Sequence, residues 1–294
     1  MHYRSVSYTI FSWVNGAVLC GLSILCILPL IHILAVSFSS DSAASANLVK
    51  LLPVGFTTEA WNETLGNPNF TRSFFNGVTR TLLGTAIGIA VCLLAAYALA
   101  KEDPEFKGRR TYMYIFVFTM LFNGGLIPTY ILIRSLDLMN TVWALVLPGA
   151  VNVWNTILLL NFFRSSVPKA LEEASYIDGA NHFQTFAYIY LPVSLPAIAT
   201  ITLFTMVGQW NSWFDGLIYL TSADKYPLST FLQTIIVQKN MAVLNVSDPD
   251  ELKQLSERTV RSAQIFIGAL PVILVYPFLQ RYFIKGIVVG SVKE

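Results

Sequence analysis

The sequence predicts an all-α membrane protein with six transmembrane helices. Three observations carry this. Only 12% of its 294 residues are charged, about half the roughly 25% of a soluble globular domain. Apolar residues gather into charge-free runs over 5–40, 81–100, 111–133, 138–163, 179–214 and 262–280, most of them long enough for the ~20 residues that cross a bilayer as helix. A soluble fold with buried helices needs charged outer faces, and these runs offer none.

The elements follow in order. The first span covers about 12–37. Its run follows Arg4 and imitates a secretory signal, but it is longer than a signal's apolar region and lacks a small-x-small cleavage site. The polar stretch "SFSSDSAASANLVK" is an exposed loop, and the Pro, Gly, Asn and Trp of "LLPVGFTTEAWNETLGNPNF" predict turns and a short interfacial helix. The second span, 74–100, has Arg80 near one end, and its small residues Gly84, Ala86, Gly88, Ala90, Ala95 and Ala96 permit close helix approach. "KEDPEFKGRR" has seven charges in ten residues and is expected as a short aqueous turn.

The third span, 111–133, contains Gly124, Gly125 and Pro128. These residues kink or break the helix, either to line a cavity or only to fit its packing. The fourth, 140–163, carries Pro148, Asn152, Asn155 and Asn161; amides in a span pair across helices or face water. A polar segment, 164–192, precedes the fifth span at 194–215. A long mixed loop leads to the sixth at 262–284.

Even-numbered crossing puts both termini on one side. With the N-terminus inside, the cytoplasmic stretches hold ten Lys/Arg in 64 residues and the outer ones eight in 88. This bias places both termini and segment 164–192 in the cytoplasm. No internal repeat is evident, so 1–294 is expected as a single transmembrane domain.

Several function classes are disfavoured. The net charge is +2 without a dense basic cluster, which argues against nucleic acid. Cys20, Cys26 and Cys92 lie in apolar runs without paired spacing, so they read as packing residues rather than disulfides or zinc ligands. His2, His32 and His182 have no metal or base spacing, the acids lie in loops, and no buried carboxylate pair suggests glycoside hydrolysis. The chain therefore reads as a non-catalytic protein with no metal site.

Segment 164–192 is the informative part. Pro168 enters a helix whose first turns hold Glu172 and Glu173, acids suited to an N-terminal dipole. Asp178–Gly179 interrupts it, glycine supplying a tight turn or close backbone approach. Phe183, Phe186, Tyr188 and Ile189 then lead to Leu191–Pro192, where proline can open the fifth span. Two short helices with a bend would lie along the cytoplasmic surface, a shape that fits a partner's cleft.

Glu173-Ala174-Ser175, three residues, Gly179, nine residues, Ile189, one residue, Leu191-Pro192 resembles the loop motif of permease subunits of binding-protein-dependent ABC importers. The usual form is Glu-Ala-Ala, so Ser175 is a small-for-small departure. "IDGA" at 177–180 and "GQWNSWFDGLIYL" at 208–220 resemble the sugar-importing branch, specifically the second permease of maltose-type and oligosaccharide importers. The resemblance covers about 71–290.

The resemblance implies a six-helix permease bundle in a bacterial cytoplasmic membrane, paired with a second permease and served by two cytoplasmic ATPases and an extracytoplasmic solute-binding protein. ATP and Mg would bind the ATPases; this chain has no phosphate-binding Gly-x-x-x-x-Gly-Lys-Ser/Thr loop. In that family the loop forms coupling helices that dock on an ATPase. This gives a coupling set of Glu172, Glu173, Ala174, Ser175, Asp178, Gly179, Phe183, Phe186, Leu191 and Pro192. Within it, Glu173 makes polar contact with the ATPase, Gly179 makes the bend, and Phe183 and Phe186 serve as apolar contact or anchorage. Loop 221–245 corresponds in position to one that reaches toward the binding protein, and it reads equally as a loop packed over the bundle.

A saccharide needs polar groups for its hydroxyls and aromatic faces for its C–H surfaces. Asn152, Asn155, Trp210, Asn211 and Trp213 are the candidates, with interfacial anchoring the other role of the tryptophans. Arg72 and Arg80 leave an acidic saccharide open. The rival readings are an importer of a non-sugar solute, a membrane assembly or sensing protein coupled to an ATPase, and a secondary transporter.

Overall fold

A computed structural model describes residues 6–102, 105–235 and 258–290. The chain divides into two units, Met1–Thr71 with Thr234–Leu270, and Arg72–Gln233 with Pro271–Glu294. Loop residues 236–245 and the N-terminal Arg4 lie outside the described residues.

The first unit begins with α1, Val6–Ser37. Its apolar side chains are exposed over residues 7–27, as expected of a helix whose solvent is lipid and whose backbone bonds are all internal. Its last turn is packed: Ala35 and Val36 are buried with Ala43 and Ala44 of α2 (Asp41–Ser45) and with Val49. The predicted short helix is α3, Glu59–Gly66. Its Trp61 stacks on Phe38 at 5.0 Å and donates its indole N–H to Ser37 Oγ at 3.1 Å. Two long helices run through both units' residue ranges: α4, Pro68–Ala100, and at the other end of the chain Arg258–Gly290.

In the second unit, α4 buries Ser73, Gly77, Arg80, Gly84, Gly88, Cys92, Ala96 and Leu99, one stripe at helical spacing. The small residues bring backbone close: a Cβ on Gly84 would lie 2.6 Å from the Gln209 amide carbon. The third span is broken rather than kinked. Helices α5 (Arg109–Leu121) and α6 (Leu126–Ser135) meet at 112°. Gly125 has φ +86°, and its N–H is taken by Asn123 Oδ1 at 2.8 Å. Pro128 sits in the first turn of α6, where no backbone donor is needed.

The expected fourth helix over 140–163 is two pieces. Helix α7 covers Val142–Val146, and α8 covers Val153–Ser166 with Asn152 as N-cap, its side chain accepting from Asn155 N at 2.9 Å. Pro148 and Gly149 occupy the gap, where proline removes a helix donor. The 14 residues of α8 reach only about 21 Å at 1.5 Å per residue.

Segment 164–192 folds as α9 (Lys169–Ile177), α10 (His182–Thr185), a π-helical turn Phe186–Tyr190 and the three-residue α11, Leu191–Val193. An 82° bend follows. The next helix, α12, runs Leu195–Asn211. The span therefore opens at Ser194 and Pro196 rather than at Pro192, because Ser194 leaves helical geometry at φ −99°, ψ 10°. It also ends at Asn211, four residues before its expected limit; α13 (Phe214–Tyr219), a 3-10 turn Ala223–Lys225 and helix α14 over 228–235 follow. The C-terminal Arg258–Gly290 is α15 and carries Pro271 and Pro277.

Among the described residues three helices are long and apolar enough to cross a membrane, or five crossings if each bent pair forms one. The protein is thus an all-α, multi-span membrane protein. The second unit's main core joins Ala96 and Leu99 of α4, Leu159 and Phe163 of α8, Phe186 and Tyr190 of the π turn, and Ile201 of α12.

Candidate functional site

Two features of the second unit have functional geometry: the 164–192 segment and a polar cleft.

Helix α9 ends in a Schellman motif. Gly179 N–H donates to Tyr176 O at 3.1 Å and Ala180 N–H to Ser175 O at 2.9 Å, with Gly179 in the left-handed region at φ +82°. Helix α10 then starts with a capping box: Gln184 N donates to Asn181 Oδ1 and Asn181 N to Gln184 Oε1, both at 2.9 Å. The bend is therefore specified by local backbone chemistry on both sides. Ser175 bridges it, its hydroxyl accepting from Thr185 Oγ1 at 3.0 Å while donating to Glu172 O at 2.7 Å. Alanine at this position could make neither bond.

The predicted coupling residues separate into two groups. Glu173, Ala174, Asp178, Gly179, Phe183 and Pro192 are exposed, Phe183 at 72%, together with Ile177 and Tyr188. Phe186 is 7% exposed in the core, against Tyr97 at 5.1 Å between ring centres. Of the two roles expected for the phenylalanines, Phe183 has the exposure for contact and Phe186 the burial for anchorage. Leu191 packs at the edge of the same core.

Glu172 is also turned inward. Its carboxylate pairs with Lys101 and accepts from Tyr176 Oη at 3.1 Å and Tyr190 Oη at 2.8 Å. Tyr176 in turn accepts from Lys101 Nζ at 3.0 Å and meets His182 Nδ1 at 3.0 Å. Burial raises the Tyr176 phenol well above its ordinary pKa, so it remains a donor to Glu172. Lys101 is nearly buried and lies 4.5 Å over the Tyr97 ring. The expectation that 101–110 is simply an aqueous turn fails here: Lys101 begins that segment and ends inside the fold. Arg109 and Arg164 donate to the Lys101 and Leu99 carbonyls at 2.9 Å each, serving the unpaired carbonyls at the end of α4. At the rim, hydrogen bonding by Lys169 holds the Glu102 carboxyl below its usual range.

The second feature is a cleft of about 620 Å³. Asn152 and Asn155 line it, Asn155 Nδ2 donating to Thr205 Oγ1 at 3.3 Å. Trp210, Asn211 and Trp213 are not among its lining. Trp210 turns to the opposite face of α12, edge-on to Phe74 at 5.8 Å and beside Pro271, Val272 and Val275 of α15. Trp213 stands edge-on to Phe214 at 5.7 Å, and Asn211 is exposed. A helix has more than one face, and the sequence pattern around 210 does not say which one meets the cleft.

The residues missed are Gln209, Ser212 and Asp215, which with Arg80 form the cleft's charged end. Arg80 Nη2 and Nη1 both donate to Asp215, the latter at 3.1 Å; Nη1 also donates to Ser212 O at 2.8 Å, and Nε to Gln209 Oε1 at 3.3 Å. The available signal was an Arg and an Asp each set in an apolar stretch, since such charges require partners. Among the described residues no group of three or more His, Cys, Asp or Glu side chains could hold a metal.

These placements change one expectation. Trp210→Ala should leave saccharide selectivity unchanged and cost about 3 kcal/mol of packing, read as lower thermal stability of the purified assembly. A changed solute preference at normal stability would return Trp210 to the pathway.

Comparison with known proteins adds independent findings. The model of the family described as "Binding-protein-dependent transport system inner membrane component" matches residues 93–289. The "Polygalacturonan/rhamnogalacturonan transport system permease protein YtcP" of Bacillus subtilis is 38% identical over 271 residues, 92% of this chain and 94% of that one. The "Arabinooligosaccharides transport system permease protein AraQ" of Halalkalibacterium halodurans is 27% identical, covering 97% of each. A chain of a solved bacterial ABC transporter "involved in the import of the acidic polysaccharide alginate" superposes with a TM-score of 0.82 at 34% identity, over 96% of this chain and 100% of that one.

Proposed function

The chain belongs to the family of binding-protein-dependent transport system inner membrane components, and on that premise we propose that it imports a sugar or oligosaccharide as one of two permeases lining a shared pathway. It is a non-catalytic subunit. Two cytoplasmic ATPases hold ATP and Mg, and an extracytoplasmic binding protein delivers the solute. Residues 1–294 form one permease domain of six crossings, in which α7 and α8 together make the fourth. Both termini are cytoplasmic, the side favoured by the Lys/Arg bias.

The observation that carries the coupling role is the division of segment 164–192. Its exposed side chains, Glu173, Ile177, Phe183 and Tyr188 among them, are available to an ATPase groove. Glu172, through Lys101, and the packed Phe186 and Tyr190 hold the segment to the helices beneath, while Ser175 braces its bend. Force applied to the exposed side can therefore pass to α4 and α8 without a flexible joint. Asn152, Asn155 and the polar cleft form this chain's part of the pathway.

The relatives' names support a narrower reading, in which the solute carries uronate carboxylates. Proteoliposomes containing the copurified complex test both. Labelled neutral and acidic oligosaccharides should enter only when ATP and the binding protein are both present. Uptake without ATP would favour a secondary transporter, and ATPase docking without uptake of any saccharide would favour a sensing role.

A further inference from the structure

The polar cleft contains one ion pair and, among its described lining residues, no other charge. Building on the reading of the chain as a saccharide permease, we infer that Asp215 is a specificity-determining residue. By neutralising Arg80 it makes this wall select the uncharged, hydroxyl-bearing face of the solute and withholds a cation from any sugar carboxylate.

The argument rests on which member of the pair faces the cleft. Arg80 is 2% exposed, and each of its three nitrogens already donates: to Gln209, to Ser212 O and to both oxygens of Asp215. Asp215 is 23% exposed. An incoming group therefore meets the carboxylate before the guanidinium. Asp215 Oδ1 is occupied, accepting from Ser212 Oγ at 3.0 Å, Gly216 N at 2.9 Å and Arg80 Nη1. Oδ2 accepts from Arg80 alone among the bonds described and retains lone-pair capacity.

A sugar hydroxyl can donate to that oxygen. A sugar carboxylate meets like charge there, and would reach Arg80 only by displacing Asp215 from a buried pair, which is unfavourable. The surrounding Asn123, Asn155, Thr205 and Gln209 are neutral amides and hydroxyls that suit polyol surfaces. A uronate chain on this wall would turn its carboxylates toward the opposite one, contributed by the second permease. The pair thus sets orientation as well as preference.

The test uses the complete complex in proteoliposomes and a series of oligogalacturonides of one length, carboxyl-reduced to increasing degree. The binding protein is the same throughout, so its own selectivity cancels when variants are compared. Asp215→Asn unmasks Arg80 and should raise the acidic-to-neutral uptake ratio about tenfold. Arg80→Gln leaves the carboxylate unpaired and should lower the same ratio. The double variant, R80Q/D215N, should return it to the wild-type value. Opposite shifts in the two single variants support the assignment, and either one suffices if its counterpart fails to assemble. A ratio that stays fixed while overall uptake falls would make the pair a structural brace and overturn it. Wild-type complex that imports no member of the series would instead overturn the saccharide reading beneath it.

Discussion

Gly179→Val is expected to reduce ATP-driven uptake at least about tenfold while leaving the protein inserted in the membrane. The residue sits at φ +82°, a conformation that costs an L-residue roughly 1–2 kcal/mol and a β-branched one more. Relaxing that strain means opening the Schellman turn, and with it the angle between α9 and α10. Apart from its two chain neighbours, no heavy atom of the described residues lies within 4 Å of an added Cβ, so the side chain meets no obstacle among them. A graded series exploits this. Gly179→Asn, which tolerates the left-handed region, should retain most activity, and Gly179→Ala should fall between. If a large polar side chain with tolerated φ also uncouples, the added damage comes from the docking groove. Normal uptake by the valine variant would sink the coupling assignment of this turn.

Lys101→Met should be nearly as severe, for a different reason. It strands the Glu172 carboxylate with two phenol donors and no cation, in a site where both partners of the pair are largely shielded. Removing one member of a buried pair costs about 3–5 kcal/mol. The loss should appear as faster proteolysis within 164–192 and as ATP hydrolysis that no longer drives uptake. The double variant K101M/E172Q, with no stranded charge, should be less damaged than K101M alone. A double-mutant cycle measures this coupling directly. Additivity within about 0.5 kcal/mol would show that the ion pair does not hold the segment.

These two predictions draw on different kinds of information. The Gly179 turn was legible in the sequence because a Schellman motif and a capping box are local. They depend on glycine at one position, which marked the turn, and on an Asn–Gln spacing of three residues, which was equally local but not picked out. The role of Glu172 was not legible. As a first-turn acid it reads as solvated and available, and only the arrival of Lys101 from the end of α4 and Tyr190 from the π turn makes it an internal tie. Lys101 itself was hidden by its neighbours, since a ten-residue stretch with seven charges gives no sign that its first residue is buried.

The cleft shows the same division. Asn152 and Asn155 were identifiable because an amide in an apolar run must find a partner wherever the run packs. Trp210 lies away from this cleft because aromatic character is compatible with either face of α12, and the face is chosen by Phe74 and the α15 residues that receive Trp210. The breaks at Gly125 and Pro148 follow the same logic. Residues that disfavour helix were visible, but whether they kinked a span or divided it, and by 112° in one case, depended on what packed around them.

Composition and spacing alone thus determined that this is a helical membrane protein with a polar, bent segment at 164–192, whose motif resembles that of importer permeases, because low charge, apolar run length and local turn chemistry act over a few residues at a time. Tertiary structure decided which carboxylates are ties and which are free, which face of each helix meets the cleft, and that Arg80 is matched by Asp215 135 positions away. Those outcomes depend on desolvation and pairing between groups distant in the chain, and they exist only once the helices have come together.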